Sequence, residues 1–211
     1  MSRVGGHVMP RVVKRLAEGI HCWAVHSEEK RLDFNGLHLS IGDARLLVDP
    51  PPLAAHDVEA IEKLGAPSLI VLTNKDHRRA APDARERFGS RIVIHRRDRA
   101  LIDCDVDDVY DDGDVLAGAL EVVPVRDAKS PGESALWWRE RRVLILGDAL
   151  IGKPPGRLSL LPDEKFADAE KARAGARGLA ELDANMVLVG DGVSILEDGS
   201  AALRAFAQGA G

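Results

Sequence analysis

Ser68-Leu69-Ile70-Val71-Leu72-Thr73-Asn74-Lys75-Asp76-His77 is the stretch on which the fold turns. An unbroken aliphatic run through Leu72 predicts a strand buried on both faces, because a strand with one wet face alternates apolar and polar side chains. The polar and ionisable residues from Thr73 to His77 follow at once, so they collect where a buried strand ends. The arrangement recurs further along the chain. Val143-Leu144-Ile145-Leu146 runs into Gly147-Asp148, and Met186-Val187-Leu188-Val189 runs into Gly190-Asp191-Gly192. An earlier short strand, Ala44 to Asp49, is stopped by Pro50-Pro51-Pro52, since proline cannot donate to a sheet ladder. Asp49 at that end has the position of a turn or cap residue first and of a catalyst second.

Outward from these strands, Val12 to Ser40 predicts antiparallel strands that turn at Gly42-Asp43 into the Ala44 strand. Val58, Ile61 and Leu64 have helical spacing, with Gly65 as the stop. A second helix starts at Pro82 and ends at Gly89, where Pro, Asp83 and Glu86 suit a first turn. Arg91 to His95 is another buried strand, Arg96 to Ile102 a short helix, and Asp103 to Asp114 a loop. Strands follow over Leu116 to Val125 and Ser134 to Trp138, the latter placing the rings of Trp137 and Trp138 on opposite faces. After the loop Gly152 to Pro162, Asp163 opens a helix whose Phe166, Ala169, Ala172, Ala176 and Leu179 form one stripe. A terminal helix covers Ala201 to Phe206. Strand and helix signals fall in two successive halves, each with its own sheet, which predicts an α/β chain: a two-sheet sandwich flanked by helices.

The chain has 211 residues, 45% hydrophobic and 30% charged with 4% aromatic, which excludes disordered, collagen-like and coiled-coil classes and predicts a single domain over 1–211. A net charge of −5 gives no overall pull toward nucleic acid or an anionic membrane. Nine Lys/Arg against four Asp/Glu between Lys75 and Arg99 make one basic patch. Without interleaved aromatics it predicts solvated helix faces rather than a nucleic-acid site. The seven acids of Asp103 to Asp114 lack the glycine of a calcium loop and predict a solvated segment. Two cysteines, Cys22 and Cys104, fit a reducing compartment, so the cytoplasm is expected. Met1 to Pro10 has no apolar core of a signal peptide, and no run is long enough to span a bilayer.

Asp76 with His77, Asp148 and Asp191 each follow an aliphatic strand, beside Gly147, Gly190 and Gly192 that let backbones approach. Carboxylates and an imidazole at one sheet edge are a ligand set for a divalent cation. Carboxylates so close repel one another, and a cation or a buried lysine is needed to keep them ionised. Lys129, in Ala128-Lys129-Ser130-Pro131-Gly132, is the candidate for such a lysine.

In chain order, Leu72-Thr73-Asn74-Lys75-Asp76-His77, Lys129-Ser130-Pro131-Gly132, Leu146-Gly147-Asp148 and Gly190-Asp191-Gly192 resemble the motifs of the metallo-β-lactamase superfamily. That family runs a buried strand into Thr-His-x-His-x-Asp-His, precedes a strand pair with His-Thr/Ser-Pro-Gly, and ends later strands in Gly-Asp and Gly-His-Gly. Leu47-Val48-Asp49 and Tyr110-Asp111-Asp112-Gly113-Asp114 are also similar, so the likeness covers nearly the whole chain. The resemblance implies an αββα four-layer sandwich with a two-metal hydrolytic centre at one edge. Its first-metal half is missing here: both early histidines are lost, Lys129 stands for the third, and Glu133 follows Pro131-Gly132. Its second-metal half is Asp76, His77, Asp148 and Asp191, with Asp191 for histidine.

Two readings stay open. In one, a single divalent ion (zinc, manganese or iron) activates water toward an ester, thioester, amide or phosphoester, with Asp76 as orienter or base and Lys129 stabilising the oxyanion. The oxygen-rich set shifts preference from zinc toward manganese, iron(II) or magnesium. In the other no metal binds, Lys129 replaces it by ion pairing, and the chain is an inactive scaffold or ligand-binding protein. Either reading expects a small-molecule partner and leaves oligomerisation open.

Overall fold

Side-chain alternation within the buried strands decides which layer each residue joins. In the computed structural model, which describes residues 13–209, the first seven strands lie side by side in chain order. These are β1 (Lys14–Ala17), β2 (Ile20–Ser27), β3 (Leu32–Ile41), β4 (Ala44–Val48), β5 (Leu69–Leu72), β6 (Arg91–His95) and β7 (Asp108–Tyr110). β1 to β4 pair antiparallel, and β4 to β7 pair parallel. Parallel neighbours need crossovers, and α1 (Ala55–Leu64) and α2 (Ala81–Phe88) supply two of them. The second sheet holds β8 (Val115–Leu116), β9 (Leu120–Pro124), β10 (Ser134–Trp138), β11 (Val143–Leu146) and β12 (Met186–Val189), in the order β12-β11-β10-β9-β8. β11 and β12 are parallel, joined through α3 (Ala169–Arg177), and α4 (Gly199–Ala207) closes the described chain.

Val71, Ile145 and Leu188 pack with Leu39, Val48 and Leu136 between the sheets. Their strand neighbours Ile70 and Leu72 face the other way, onto Ile61 of α1 and Ala84 of α2. Leu144, Leu146 and Val187 likewise meet Ala176 of α3 and Leu203 and Phe206 of α4. Helices, sheet, sheet and helices therefore stack as the αββα sandwich expected from the sequence. Both tryptophans of β10 are buried: Trp138 lies between the sheets and Trp137 beneath the α3 and α4 layer.

Several boundaries differ from expectation, each for a local reason. Asp163 starts only a 3₁₀ turn (Asp163–Lys165), because Phe166 is extended and the α-helix begins where the Asp168 carboxylate caps the Lys171 N–H. Arg96 to Ile102 is a 3₁₀ turn over Arg96–Asp98, since the Asp98 side chain turns inward to other bonds. The acidic segment is not all loop. Tyr110 buries its ring and donates its hydroxyl to the Leu72 carbonyl at 2.7 Å, which ties β7 past β6 to the end of β5. Leu116 to Val125 splits into β8 and β9 at Ala117-Gly118, both with positive φ. Val12 and the segment Met1 to Pro10 lie outside the described residues. Among the described residues, no helix is long and apolar enough to cross a membrane.

Leu188 is fully buried between the sheets. Truncation there removes contacts on both sheets and leaves a cavity, so Leu188→Ala is expected to lower unfolding free energy by about 2–5 kcal/mol in urea denaturation.

Candidate functional site

Parallel pairing of β4 with β5 and of β11 with β12 brings four strand ends to one edge of the sandwich. Asp49 follows β4 with φ at +48°. Its carboxylate accepts the Thr73 N–H at 2.8 Å and the Thr73 hydroxyl at 2.6 Å, tying the end of β4 to the end of β5. Asn74 then turns the chain: its side-chain oxygen accepts the N–H groups of Asp76 and His77, capping the 3₁₀ turn Lys75–Arg78. That turn aims the His77 ring into the interior.

His77 is buried between two acids, with Nδ1 2.7 Å from Asp49 and Nε2 3.3 Å from Asp148. Burial and nearby Arg79 pull its pKa down, but the Asp49 and Asp148 carboxylates outweigh them and raise it to about 10. The two carboxylates thus favour the protonated imidazole. Burial pushes the Asp148 carboxyl up, yet His77 and Lys129 hold it well below the usual carboxylate range. Close approach needs small residues here. A Cβ on Gly190 would lie 2.6 Å from His77 Cε1, and one on Gly147 would lie 2.2 Å from the Thr73 hydroxyl.

Two further cations complete the site. The Lys129 ammonium is 2.8 Å from Asp148 and 3.0 Å from Asp76. The Arg79 guanidinium contacts the Asp191 carboxylate and lies 3.1 Å from His77 Nε2. It also donates to the carbonyls of Asn35, Asp49 and Gly190, while its plane lies 5.1 Å over the Phe34 ring. Burial pushes the Asp191 carboxyl above its usual value against the pull of His77 and Arg79. Asp76 stands further out, between Lys129 and Lys75, and their hydrogen bonds outweigh burial to keep its pKa low.

Beneath these groups Glu133 is fully buried and accepts the N–H groups of Asp148 and Ala149 on one oxygen. Burial and the neighbouring Asp148 charge raise its pKa well above the usual carboxylate range. Asp98, also fully buried, accepts Lys75 N–H, the Ser130 hydroxyl and Gly132 N–H, fixing the loop that presents Lys129.

Of the residues singled out in the sequence, His77, Asp148 and Asp191 offer ligand atoms within 4.8 Å of one another. Asp76 is outside that group, and Lys129 joins it to Asp148. Sequence reasoning missed Arg79, Asp98 and Asn35 and ranked Asp49 low. Arg79 is one of nine basic residues in its segment, and nothing in the sequence separates it from Arg78. Asp49 had a signal: a carboxylate at a strand end beside another strand end rich in donors. The basic patch itself is neutralised in place, since Arg85, Arg91, Arg96 and Arg97 pair with Asp107, Asp108, Asp111 and Asp112 of the acidic segment.

The profile of the family described as "Metallo-beta-lactamase superfamily" matches residues 13–210. None of the curated proteins matches the chain. Solved structures share its fold. The metallo-beta-lactamase FIM-1 from Pseudomonas aeruginosa in the mono-zinc form superposes with a TM-score of 0.73 at 16% identity, over 95% of this chain and 94% of that one. The metallo-beta-lactamase family protein TTHA1429 from Thermus thermophilus gives 0.68 at 18% identity, over 93% and 80%. TTHA1623 in a di-iron-bound form gives 0.67 at 21% identity, over 85% and 96%.

The folded protein binds the His77 proton more tightly than the unfolded chain, where the value is 6.5. That contribution to stability is full below pH 6.5 and is lost as pH rises from there to about 10. Urea midpoints measured across that range are expected to fall on the alkaline side. In His77→Gln the alkaline decline is expected to be shallower, and an equal decline in both proteins refutes the assignment.

Proposed function

The chain belongs to the metallo-beta-lactamase superfamily, and we propose that it binds a small-molecule ligand at the strand-end site without metal-activated hydrolysis. Its own cations balance the site carboxylates. The observation that carries this reading is the pair of contacts made by Arg79 and Lys129. Arg79 lies against both His77 and Asp191, and Lys129 against both Asp148 and Asp76. A divalent ion on His77, Asp148 and Asp191 needs an unprotonated imidazole nitrogen and carboxylate lone pairs facing the ion. In this arrangement the His77 ring stands between the Asp49 and Asp148 carboxylates, which favour its protonated form, and a guanidinium occupies the side of the ring toward Asp191. Adding two positive charges within that shell sets ion against ion at short range. The residues as arranged do not fit a metal.

The chain keeps the means to recognise a ligand. A cavity of about 720 Å³ opens over His77, Lys129, Asp148 and Asp191, within the size range of small-molecule sites. Lys129 in this reading is a charge partner and binding group, and Asp76 its counter-ion and positioning residue.

A second reading is favoured by one observation, the clustering of His77, Asp148 and Asp191 within 4.8 Å. It places one zinc, manganese or iron ion on those residues, with Asp76 and Lys129 as the flanking acid and cation. FIM-1 in its mono-zinc form and TTHA1623 in its di-iron-bound form lend the fold a metal precedent. That arrangement requires Arg79 to leave Asp191.

Elemental analysis and thermal shifts separate the two. Purified protein is expected to hold no stoichiometric metal, and its Tm to stay unchanged on adding zinc, manganese or iron(II). One equivalent of metal that raises Tm and is lost in Asp148→Ala overturns the proposal. Arg79→Ala leaves Asp191 uncompensated and is expected to lose about 3–5 kcal/mol of stability. With His77 and Asp191 released, that variant is expected to gain a metal-dependent rise in Tm that the parent lacks.

A further inference from the structure

We propose that the cavity takes a small amphipathic anion, an apolar body carrying a carboxylate or phosphate head, with the head at Lys153 and Lys165 and the body on Leu32, Phe34 and Leu161. The inference rests on the ligand-binding reading above and names the ligand class. Its first support is apolar surface outside the cores of the layers. Leu32, Phe34 and Leu161 line the cavity, yet none of them belongs to the three apolar clusters that hold the layers together among the described residues. Half-buried aliphatic and aromatic side chains gathered in one concave place gain by covering one another's surface with a ligand.

The second support is unbalanced charge. On the cavity floor Asp76, Asp148 and Asp191 each have a cation in contact. At the mouth the order reverses. Lys153 and Lys165 line the cavity, and neither has a carboxylate in salt-bridge reach among the described residues. Among the described residues the Lys153 ammonium donates only to the Lys30 carbonyl, at 3.1 Å. Lys30 joins the same lining, its one partner being the largely exposed Glu29. Against these lysines stands one lining acid without a cation in reach, Glu164. A positive rim over an apolar wall complements a negative head on an apolar body, and a concave site concentrates that field.

The third support is that the wall is formed in advance. Ile151 and Ser159 exchange backbone hydrogen bonds of 2.8 and 3.0 Å, and Gly152 N–H donates to the Asp191 carbonyl at 2.9 Å. Leu158 is anchored in the core under α3 and α4. The loop that carries Lys153 and Leu161 is thus tied to the strand end that carries Asp191, which lowers the ordering cost of binding.

Calorimetric titration of the full, chelator-treated chain tests the inference with four probes of one chain length: decanoate, decyl phosphate, decanol and decyltrimethylammonium. Both anions are expected to bind at least about tenfold more tightly than the alcohol or the cation. A Lys153→Glu/Lys165→Glu variant is expected to lose that preference with Tm unchanged, because both lysines are exposed. Equal binding of all four probes, no binding, or a preference retained in the charge-reversed variant overturns the inference. Binding of one anion alone narrows the head group and still supports it. Anion binding that appears only with added zinc and vanishes in Asp148→Ala overturns the metal-free reading too.

Discussion

Carboxylates buried side by side repel, and each loses the hydration that would keep it charged. Asp49, Asp148 and Asp191 are all buried at one edge of the sandwich, so the strand ends can converge only where positive charge accompanies them. His77 bridges Asp49 to Asp148, Lys129 bridges Asp148 to Asp76, and Lys75 closes the line on Asp76. Arg79 holds Asp191 beside the same imidazole. Acidic and basic side chains thus interleave from one sheet to the other, with Arg79 and His77 side by side. Such a network adds little net stability over an apolar filling, but loss of one member strands its neighbours without compensation. Its effect is on geometry: it specifies how the two sheet edges meet where the apolar core ends.

The two cations that stand against Asp148 and Asp191 are held in different ways. Arg79 spends its planar fork on three carbonyls and a carboxylate, a set matched to fixed donors. Lys129 is a single rotatable ammonium, 27% exposed, on a loop pinned from below by Asp98 through Ser130 and Gly132. Arg79 belongs to the framework, while Lys129 can turn toward a ligand without unmaking the loop. Glu133 supports the site from beneath. It accepts the backbone N–H groups that follow β11, and burial beside the Asp148 charge pushes its carboxyl toward the protonated form.

The layers were legible because aliphatic runs such as Ile70–Leu72 and Val143–Leu146 have few alternatives to burial on both faces. Elements held by single side-chain bonds were not. β7 depends on where the Tyr110 hydroxyl reaches, and the start of α3 on which aspartate, 163 or 168, caps it. At the site, motif order and strand-end position pointed to His77, Lys129, Asp148 and Asp191. The partner of Asp191 was hidden, because Arg79 takes its role from a strand 44 residues earlier through the Asn35 carbonyl, a relation no local pattern contains. Asp76 carries the same letter as Asp148 and sits beside His77 in sequence, yet the Asn74 cap turns its side chain toward the two lysines.

Charge counted along the chain misleads in the same way, and for a physical reason. The excess of bases before Arg99 and the run of acids after it are neighbours in space as well as in sequence, since β7 lies on β6. Arg91 and Asp108 meet across that pair, as do Arg96 and Asp111 just beyond it. Each patch is spent on the other, and exposed pairs of this kind contribute little to stability. What remains is an acidic protein of net charge −5 whose strand-end cavity is lined by Lys153 and Lys165, which have no acidic partner among the described residues. Fields in a concave, partly apolar site are screened less than those on an open surface. A few unpaired lysines there therefore weigh more in ligand choice than the larger, self-cancelling charge elsewhere on the molecule.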